Sequence, residues 1–479
     1  LFDAPCQNAC PADQNAWGYV TLISEGRMKE AIAVIKESNP FPATLGRVCV
    51  HPCEAKCRRA QIDAPISICS LKRYAADVDM KSHPRYKPPV EEPKGKKVAV
   101  IGAGPAGLAG AYFLALKGYG VTVFEALPVA GGMLAVGIPD YRLPRDILES
   151  EVKSITDLGV EIKYNMAFGK DITAEKLFGE GYSAILVATG AHKGQKLNVP
   201  GEETPGVLDG VTFLRDVNLG KTLKVEGKVA VIGGGNVAID AARAALRLGA
   251  NEVSILYRRE RSDMPAYVEE IDEAENEGIA IHTLTAPLSI VAKGGKAAGV
   301  ECSRMSLGKF DKGGRRTPQA IPGSDFVVDA DMVIAAIGQI PDLSWMNGDG
   351  VKADRAGTVE VNMKTLATGA AGIFAAGDNV RGPATVVEAV GDGKMAAMAI
   401  DEYLGGDGKA PNAFRDELVN MVVSYDEAAY QKELGRADMP HLPVSKRERN
   451  FNEVVLGYDE RAAVEEAKRC LHCYVRQTE

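Results

Sequence analysis

One local pattern constrains this chain more than any other: a buried strand, a glycine-rich turn and a helix of small residues within Lys97–Glu125. Gly102, Gly104 and Gly107 stand in the spacing G-x-G-x-x-G. The first permits a tight turn, the second lets the backbone approach a pyrophosphate, and the third lets helix and strand pack closely. Glu125 follows about twenty residues later, where a carboxylate accepts ribose hydroxyls. The stretch predicts a dinucleotide-binding module; the alternative is a glycine-rich turn in a nucleotide-free α/β fold.

The same pattern returns in Lys228–Arg243, which reads KVAVIGGGNVAIDAAR. Gly233 and Gly235 hold the first two glycine positions, and Ala238 replaces the third. An internal duplication of this kind, with one module inserted into another, is typical of oxidoreductases that bind two dinucleotides. The second module is predicted to close with a strand and turn at Ala335–Asp342, near the nicotinamide.

The second strand of the inserted module, Glu252–Leu256, ends on basic residues instead of an acid. Arg258 and Arg259 follow it directly. A carboxylate here would repel a 2′-phosphate, whereas guanidinium groups bind it bidentately. The sequence therefore favours NADPH over NADH for this module, with a basic solvated loop as the alternative.

The first module continues far downstream. GIFAAGD at residues 372–378 predicts a short strand with Asp378 at its carboxyl end, and Ala384–Ala399 predicts a helix with Thr385 near its start. An aspartate there can hold a ribityl hydroxyl beside the pyrophosphate, although a loop-terminating cap is its ordinary role. A helix N-terminus aimed at the flavin ring stabilises negative charge on it. These features predict FAD in the first module.

Two further stretches are predicted to lie against the FAD. The loop VAGGMLAVGIPDYRLP contains Gly131 and Gly132, which permit close backbone approach, and one cation, Arg142. Arg142 could face a phosphate or ring carbonyl, or be solvated at the surface. The buried strand Tyr182–Gly190 ends in a Thr-Gly turn that could lie against the dinucleotide.

Eight of the nine cysteines lie near the two chain ends, and only Cys302 lies in the middle. In the N-terminal segment, helical runs at Trp17–Ile23 and Met28–Ile35 are flanked by closely spaced cysteines. Thiolates on loops beside paired helices suit iron–sulfur clusters, which need four cysteines each. Structural zinc is the alternative, although zinc sites usually pair C-x2-C knuckles on small ribbons, which this segment lacks. Cys302 is predicted to be a buried or inert thiol.

Six cysteines in the N-terminal segment do not complete two four-cysteine clusters. The missing pair is Cys470 and Cys473, in a C-x2-C spacing after a short helix predicted at Ala462–Lys468. The eight terminal cysteines then supply two [4Fe–4S] sites. An unused, oxidation-prone tail pair is the alternative. A thioredoxin-type pair would open a helix after a strand, and this one closes the chain.

Chain length, net charge and the lengths of the apolar runs limit the classes of function that this chain can have. The chain has 479 residues and a formal net charge of −8, which gives no sign of nucleic-acid or anionic-membrane binding. No apolar run reaches membrane-spanning length. Clustered cysteine spacings in a long α/β chain favour metal ligation in a reducing compartment, so a cytoplasmic location is expected.

The whole set of motifs resembles one redox family. NPFPATLGRVCVHPCEAKC, VAVIGAGPAGL, GGMLAVGIPDYRLP, VAVIGGGNVAIDAAR, YRRERSDMPA and GIFAAGDN follow the pattern of the NADPH-oxidising small subunit of glutamate synthase. The chain is similar also to the N-terminal part of dihydropyrimidine dehydrogenase and to the larger subunit of ferredoxin-dependent NADP transhydrogenase. The match covers nearly the whole chain.

The resemblance implies specific ligands. For FAD these residues, with the fingerprint, are Gly102, Gly104, Pro105, Ala106, Gly107, Glu125, Gly132, Met133, Arg142, Phe168, Thr189, Gly190, Gly377, Asp378 and Thr385. For NADPH they are Gly233, Gly235, Asn236, Val237, Ala238, Arg258, Arg259 and Gly338. One cluster is expected on Cys6, Cys57, Cys470 and Cys473, and the other on Cys10, Cys49, Cys53 and Cys69.

The chain departs from the family at one point. The segment EAKRCLHC, which the family usually has just before Cys6, stands here at the C-terminus. It could fold back onto its own domain or reach a neighbouring chain. The assignment of Cys69 is also softer, because relatives use a non-cysteine ligand or none near that position.

The expected fold is α/β, with two nested Rossmann-like domains for FAD and NADPH preceded by a helical iron–sulfur domain. The boundaries are 1–92 for the iron–sulfur domain, 97–215 and 368–405 for the two FAD parts, 228–345 for the NADPH insert, and 406–479 for an arm with one helix at Asp426–Gly435.

The expected function is that of an NADPH:acceptor oxidoreductase subunit. A hydride passes between aligned cofactors without a catalytic side chain, and single electrons travel through two [4Fe–4S] clusters to or from other redox subunits. The partner is expected in a glutamate synthase-like or electron-bifurcating complex, with ferredoxin as a candidate. The alternatives are a self-contained flavin reductase with structural clusters, which needs a redox cysteine pair beside the flavin, and a non-catalytic nucleotide-binding scaffold.

Overall fold

The computed structural model describes residues 4–311, 314–346, 350–410 and 435–473. Its helices are α1 Pro5–Asn8, α2 Ala16–Ser24, α3 Met28–Lys36, α4 Pro42–Val48, α5 Pro52–Ala55, α6 Ile68–Lys81, α7 Pro105–Leu116, α8 Met133–Val136, α9 Arg145–Thr156, α10 Ala174–Gly179, α11 Gly210–Asn218, α12 Asn236–Arg247, α13 Val268–Asn276, α14 Asp378–Arg381, α15 Val386–Tyr403 and α16 Glu460–Ala467. Its strands are β1 Lys97–Ile101, β2 Gly120–Phe124, β3 Glu161–Lys163, β4 Tyr182–Val187, β5 Lys193–Gly194, β6 Val207–Asp209, β7 Lys228–Ile232, β8 Glu252–Leu256, β9 Ala280–His282, β10 Thr285–Lys293, β11 Lys296–Phe310, β12 Arg316–Ala320, β13 Phe326–Asp329, β14 Met332–Ala335, β15 Gln339–Ile340 and β16 Ile373–Ala375.

Two five-stranded parallel sheets form the centre of the molecule. The first has the order β16-β4-β1-β2-β3, and the second has the order β6-β14-β7-β8-β9. Because β16 follows the whole second sheet in sequence and still pairs with β4, the second module is inserted into the first. The predicted α/β fold with two nested Rossmann-like modules is confirmed.

The helix that follows the first fingerprint packs directly on the helix that follows the return strand. A methyl group on Gly393 of α15 would stand 2.2 Å from the carbonyl oxygen of Ala106 in α7, so only glycine allows the two backbones to approach this closely. On the other side of α15, a methyl group on Gly391 would stand 2.4 Å from the carbonyl oxygen of Pro11. Helix α15 therefore lies between the first module and the N-terminal helical segment.

The N-terminal segment is helical, as predicted, and its two sequence-predicted runs correspond to α2 and α3. Most residues of its core belong to α2, α3 and α6, and the core also includes Ala463 and Ala467 of α16. Because the C-terminal helix contributes to this core, the tail folds back onto its own chain. This is the first of the two placements that the sequence left open.

One feature departs from the sequence analysis, and one expected feature lies outside the part of the chain that the structure describes. The inserted module carries an antiparallel sheet of β10, β11, β12 and β13 that the glycine fingerprints did not predict. The helix expected at Asp426–Gly435 lies outside the described residues. Cys302 lies in β11 and is fully buried, as predicted. In the ranges that the structure covers, no helix is both long and apolar enough to cross a membrane.

Candidate functional site

A cavity of about 420 Å³, here called the nucleotide cavity, opens at the carboxyl ends of the first sheet. It is lined by the ends of β1 and β4, the start of α7 and the start of α15. The sequence-predicted FAD residues that it brings together are Gly102, Gly104, Pro105, Ala106, Glu125, Gly132, Met133, Phe168, Thr189, Gly190, Gly377, Asp378 and Thr385.

The three glycines of the first fingerprint have different roles at the nucleotide cavity. A methyl group on Gly102 would lie 2.4 Å from the Ala188 carbonyl, and one on Gly107 would lie 2.0 Å from the Gly102 carbonyl. Both glycines are thus required by the packing of the protein itself, and Gly107 does not line the cavity. A methyl group on Gly104 would meet only the Gly132 Cα, at 3.8 Å. The protein therefore leaves open space at Gly104, where the fingerprint predicts the pyrophosphate.

Glu125 is held in place by its own backbone surroundings. Its two carboxylate oxygens accept hydrogen bonds from the Ala103 and Leu127 amides, each at 2.7 Å. Burial raises the pKa of Glu125, although these amides act in the opposite direction. Because each carboxylate oxygen can accept more than one hydrogen bond, the group retains acceptor capacity for ribose hydroxyls.

The opposite wall is formed by residues that return after the insertion. Asp378 accepts a long hydrogen bond from the Ala384 amide, at 3.3 Å, and burial raises its pKa to about 6. Thr385 is the N-cap of α15 and forms a capping box with Glu388. The N-terminus of this 18-residue helix lies in the cavity wall through Ala384, Thr385 and Val386. The positive end of its dipole therefore faces the site.

Sequence reasoning missed His192 and Arg215, which also line the cavity. Arg215 donates to the His192 carbonyl at 2.8 Å, and burial together with this guanidinium lowers the pKa of His192 to about 4. Within the described ranges, the buried Thr189 Oγ1 and Arg215 Nε have no hydrogen-bond partner. Two such polar atoms on the wall of a nucleotide-sized cavity fit a bound polar cofactor such as FAD. No local motif marks Arg215, whose place depends on the packing of α11.

Arg142 is not among the residues that line the nucleotide cavity, which corrects the expectation for FAD. Its guanidinium pairs with Asp240 at 2.7 Å and with Glu270 at 3.1 Å. Both carboxylates belong to the inserted module. A buried guanidinium requires such partners, so Arg142 connects the loop of the first module to the second module. The neighbouring Tyr141 lies against Arg247, 4.1 Å from ring centroid to guanidinium carbon, in the same junction.

The second fingerprint has the predicted backbone geometry. Gly233 has a φ of 145°, and a methyl group there would stand 2.2 Å from the Ala336 carbonyl. Gly235 is the N-cap of α12, whose first residues include Asn236, Val237 and the buried Ala238. Gly338 lies further on, between β14 and β15, with a φ of 143°.

The structure separates the two arginines after β8. Arg258 is exposed, whereas Arg259 is buried, with 5% of its surface accessible. Arg259 donates to the Arg316 carbonyl at 2.8 Å and pairs with Asp311 at 3.4 Å. The guanidinium of Arg259 is therefore bound to residues in and next to the antiparallel sheet. Of the two arginines, Arg258 is the one that can reach a 2′-phosphate from solvent.

The end of the inserted module meets the mouth of the nucleotide cavity. Strand β15 pairs with β5, and the Gln339 amide approaches Met133 Sδ at 3.9 Å. Lys193 and Asp342 form an ion pair at 3.0 Å, and both line the cavity. The closing turn of the second module therefore borders the site formed by the first.

Two small cavities in the helical domain are lined by cysteines. The inner cysteine cavity is lined by Cys10, Cys49 and Cys53. A hydrogen bond from Cys69 lowers the pKa of Cys49, so the fourth expected thiol lies beside them. Cys69 also donates to the Leu45 carbonyl at 3.2 Å.

The outer cysteine cavity is lined by Cys6, Cys57, Cys470 and Cys473. Burial raises the pKa of Cys6, and the neighbouring Cys470, Cys57 and Cys473 raise it further. Four thiols around each cavity match the donor set of a [4Fe–4S] cluster. In the described part of the chain, no group of three or more His, Cys, Asp or Glu side chains is arranged to hold a single metal ion.

Comparison with known proteins agrees with this geometry. Residues 96–393 match the family described as pyridine nucleotide-disulphide oxidoreductase. The chain belongs to this family. Residues 2–84 match a second family, described as dihydropyrimidine dehydrogenase domain II, 4Fe-4S cluster.

Two curated relatives cover most of this pyridine nucleotide-disulphide oxidoreductase. It is 45% identical over 504 residues to subunit beta of the NADP(+)-dependent formate dehydrogenase of Moorella thermoacetica, an alignment covering 98% of this chain and 70% of that protein. It is 38% identical over 430 residues to the NADPH glutamate synthase small chain of Azospirillum brasilense, covering 86% of this chain and 89% of that protein. The expected resemblance to the glutamate synthase small subunit is confirmed.

Among solved structures, Mycobacterium tuberculosis FprA in complex with NADPH has the same fold, with a TM-score of 0.56 and 20% identity over 78% of this chain and 99% of that chain. The protein is thus an oxidoreductase that binds FAD, NADP(H) and [4Fe–4S] clusters. Of the cysteines that the structure describes, none lines the nucleotide cavity. The redox cysteine pair that a self-contained disulfide reductase needs beside its flavin is therefore missing from these walls.

Proposed function

We propose that this chain is the NADPH-oxidising subunit of a larger redox complex and delivers electrons singly to a partner subunit. One observation carries the proposal. Val386 lines the nucleotide cavity, and the next residue, Val387, lines the inner cysteine cavity. Ala16 lines both the inner and the outer cysteine cavities. The three cavities therefore follow one another, each separated from the next by about one residue, which is the arrangement that a relay requires.

FAD in the nucleotide cavity would supply a hydride acceptor that can release single electrons, and clusters in the two cysteine cavities would carry them. The protein itself contributes alignment, since no side chain needs to exchange a proton in a hydride transfer. The closing turn at Gln339 and Asp342 holds the inserted module at the cavity mouth. The N-terminus of α15 offers partial positive charge to an anionic ring. The first turn of the same helix forms the wall toward the inner cysteines.

We propose that the electrons leave through the outer cysteine cavity. Its lining includes Lys56 and Arg58, both exposed, and its thiols Cys57 and Cys473 are partly accessible. All four outer thiols are partly accessible, whereas two of the four inner ones, Cys53 and Cys69, are buried. Because electron transfer between proteins requires a short distance, the cavity nearer the surface is the better contact for a partner. The names of the two relatives, a beta subunit and a small chain, agree with a role inside a complex.

Mixing the FAD- and cluster-loaded chain with two equivalents of NADPH under anaerobic conditions, which supplies the four electrons that one FAD and two clusters can accept, tests this function. We expect loss of the visible absorbance of oxidised flavin, followed by paramagnetic signals from two reduced clusters. Bleaching without cluster reduction would favour a self-contained flavin reductase with structural clusters. An unchanged spectrum would favour a nucleotide-binding scaffold. The polypeptides that co-purify with the chain then distinguish a glutamate synthase-like partner from an electron-bifurcating one.

Arg258 is proposed to select NADPH. In Arg258→Ala we expect at least a tenfold loss of NADPH affinity, about 1.4 kcal/mol, with little change for NADH. Titration calorimetry with both nucleotides measures the difference. Arg259→Ala is the matched control: because Arg259 holds Arg316 and Asp311, it should lower thermal stability and leave the NADPH-to-NADH ratio unchanged. Equal losses for the two nucleotides in Arg258→Ala would contradict the assignment.

A further inference from the structure

Lys72 occupies an unusual place for a lysine. It lies on α6 three residues after Cys69, so the two side chains share one face of the helix. Only 7% of Lys72 is accessible, and it lines the inner cysteine cavity with Cys10, Cys49 and Cys53. Burial acts to lower the pKa of Lys72, and the neighbouring Cys49, Cys69, Cys53 and Cys10 raise it above its ordinary value. These are the four thiols assigned to the inner cluster.

Other buried lysines have ordinary partners. Lys36 pairs with Asp79 at 3.3 Å and donates to the Tyr86 carbonyl at 3.1 Å. Within the residues that the structure describes, no hydrogen bond or carboxylate ion pair joins Lys72 to another side chain. The nearby buried Glu54 accepts from the Cys69 amide and from Arg436 instead. An ammonium group is costly to bury without compensation, and the four cysteines, as cluster-bound thiolates, would supply the counter-charge at its position.

The physical consequence concerns the energy of an added electron. A [4Fe–4S] centre on four thiolates carries net negative charge, and reduction adds one more electron without forming or breaking a bond. Net charge, hydrogen bonds and solvent exposure set the reduction potentials of such centres. A buried cation acts in a medium of low dielectric constant, where its interaction with that electron is strong.

We propose that Lys72 is a charge-compensating residue that raises the reduction potential of the inner cluster and so makes it the first acceptor in the relay. The inference rests on the proposed function, because it requires a cluster on Cys10, Cys49, Cys53 and Cys69. Nothing in the glycine or cysteine motifs points to Lys72; its position three residues after Cys69 acquires meaning only when α6 faces the cavity.

The test is an equilibrium redox titration of the full, cluster-loaded chain, followed by electron paramagnetic resonance. In Lys72→Met we expect the reduction equilibrium constant of the inner cluster to fall at least tenfold, about 59 mV for a one-electron couple. Lys72→Arg should retain most of the wild-type potential. Lys36→Met is the matched control, since it removes a buried lysine of the same domain that has no cysteine among its electrostatic partners. The outer cluster should be unaffected in all three.

Two results would overturn the inference. The first is an inner-cluster potential in Lys72→Met that equals the wild-type value or the Lys36→Met value. The second is equal loss of the inner cluster from Lys72→Met, Lys72→Gln and Lys72→Arg, which would show that side-chain shape matters instead of charge. Loss of the inner cluster from Lys72→Met and Lys72→Gln, with retention of the cluster in Lys72→Arg, would support charge compensation. If the wild-type chain shows no second cluster signal, the proposed function itself fails, and that outcome is visible before any variant is compared.

Discussion

Replacing Cys470 and Cys473 together with alanine should remove roughly half of the iron, because the outer site would retain two of the four thiolates that a [4Fe–4S] cluster needs. Delivery of electrons to a one-electron acceptor protein should fall to a small fraction of the wild-type rate. Anaerobic bleaching of the flavin by NADPH should remain, since neither cysteine lines the nucleotide cavity. Iron analysis, flavin absorbance and acceptor reduction measure the three effects separately.

The double variant should keep its fold, because the tail is held by groups other than the thiols. Glu466 accepts from the Ser67 amide at 2.8 Å, and Arg469 pairs with Asp63 at 2.9 Å. Cys302→Ala serves as the control, since this thiol lies buried in the inserted module and should leave the iron content unchanged. Unchanged iron in the double variant would contradict the ligand assignment. Complete loss of iron would show that the two sites do not assemble independently.

Gly104→Ala should weaken FAD binding without unfolding the protein. Gly104 has a φ of −81°, which alanine adopts readily, and the nearest atom to the added methyl group is 3.8 Å away. The methyl group would instead occupy the space where the pyrophosphate is predicted to approach the backbone. We expect at least a tenfold loss of FAD affinity, about 1.4 kcal/mol, with an unchanged melting temperature of the FAD-free protein. Flavin content after dialysis and thermal unfolding measure both.

The chain provides an internal control for this prediction. Gly235 has the same position in the second fingerprint, a φ of −92°, and Pro265 as its nearest neighbour at 3.9 Å. Gly235→Ala should therefore weaken NADPH binding and leave FAD binding unchanged. Gly107→Ala should lower stability in addition to FAD content, since its methyl group would stand 2.0 Å from a carbonyl oxygen. Retention of FAD by Gly104→Ala would show that the cofactor does not approach this turn.

Much of the candidate site was predictable because its determinants are local. The glycine spacing and strand boundaries of both fingerprints agree with β1, α7, β7 and α12. The predicted helix at Ala384–Ala399 corresponds to α15, with Thr385 as its N-cap. The antiparallel sheet β10–β13 was not predicted, because its strands alternate only partly between buried and exposed positions and lack a distinctive turn motif.

The sequence by itself determined which backbone positions require glycine and which stretches end at a nucleotide, since a steric requirement over a few residues is written in those residues. It also determined that eight cysteines lie near the chain ends. Only the tertiary structure decided the partners of long side chains. Arg142 and Arg259 pair with carboxylates distant in sequence instead of facing phosphates. The tertiary structure also places Cys470 beside Cys6 at the outer cysteine cavity and Lys72 at the inner one. The nucleotide cavity and the two cysteine cavities lie next to one another in that order. Such contacts depend on how distant helices pack, and no local spacing encodes that packing.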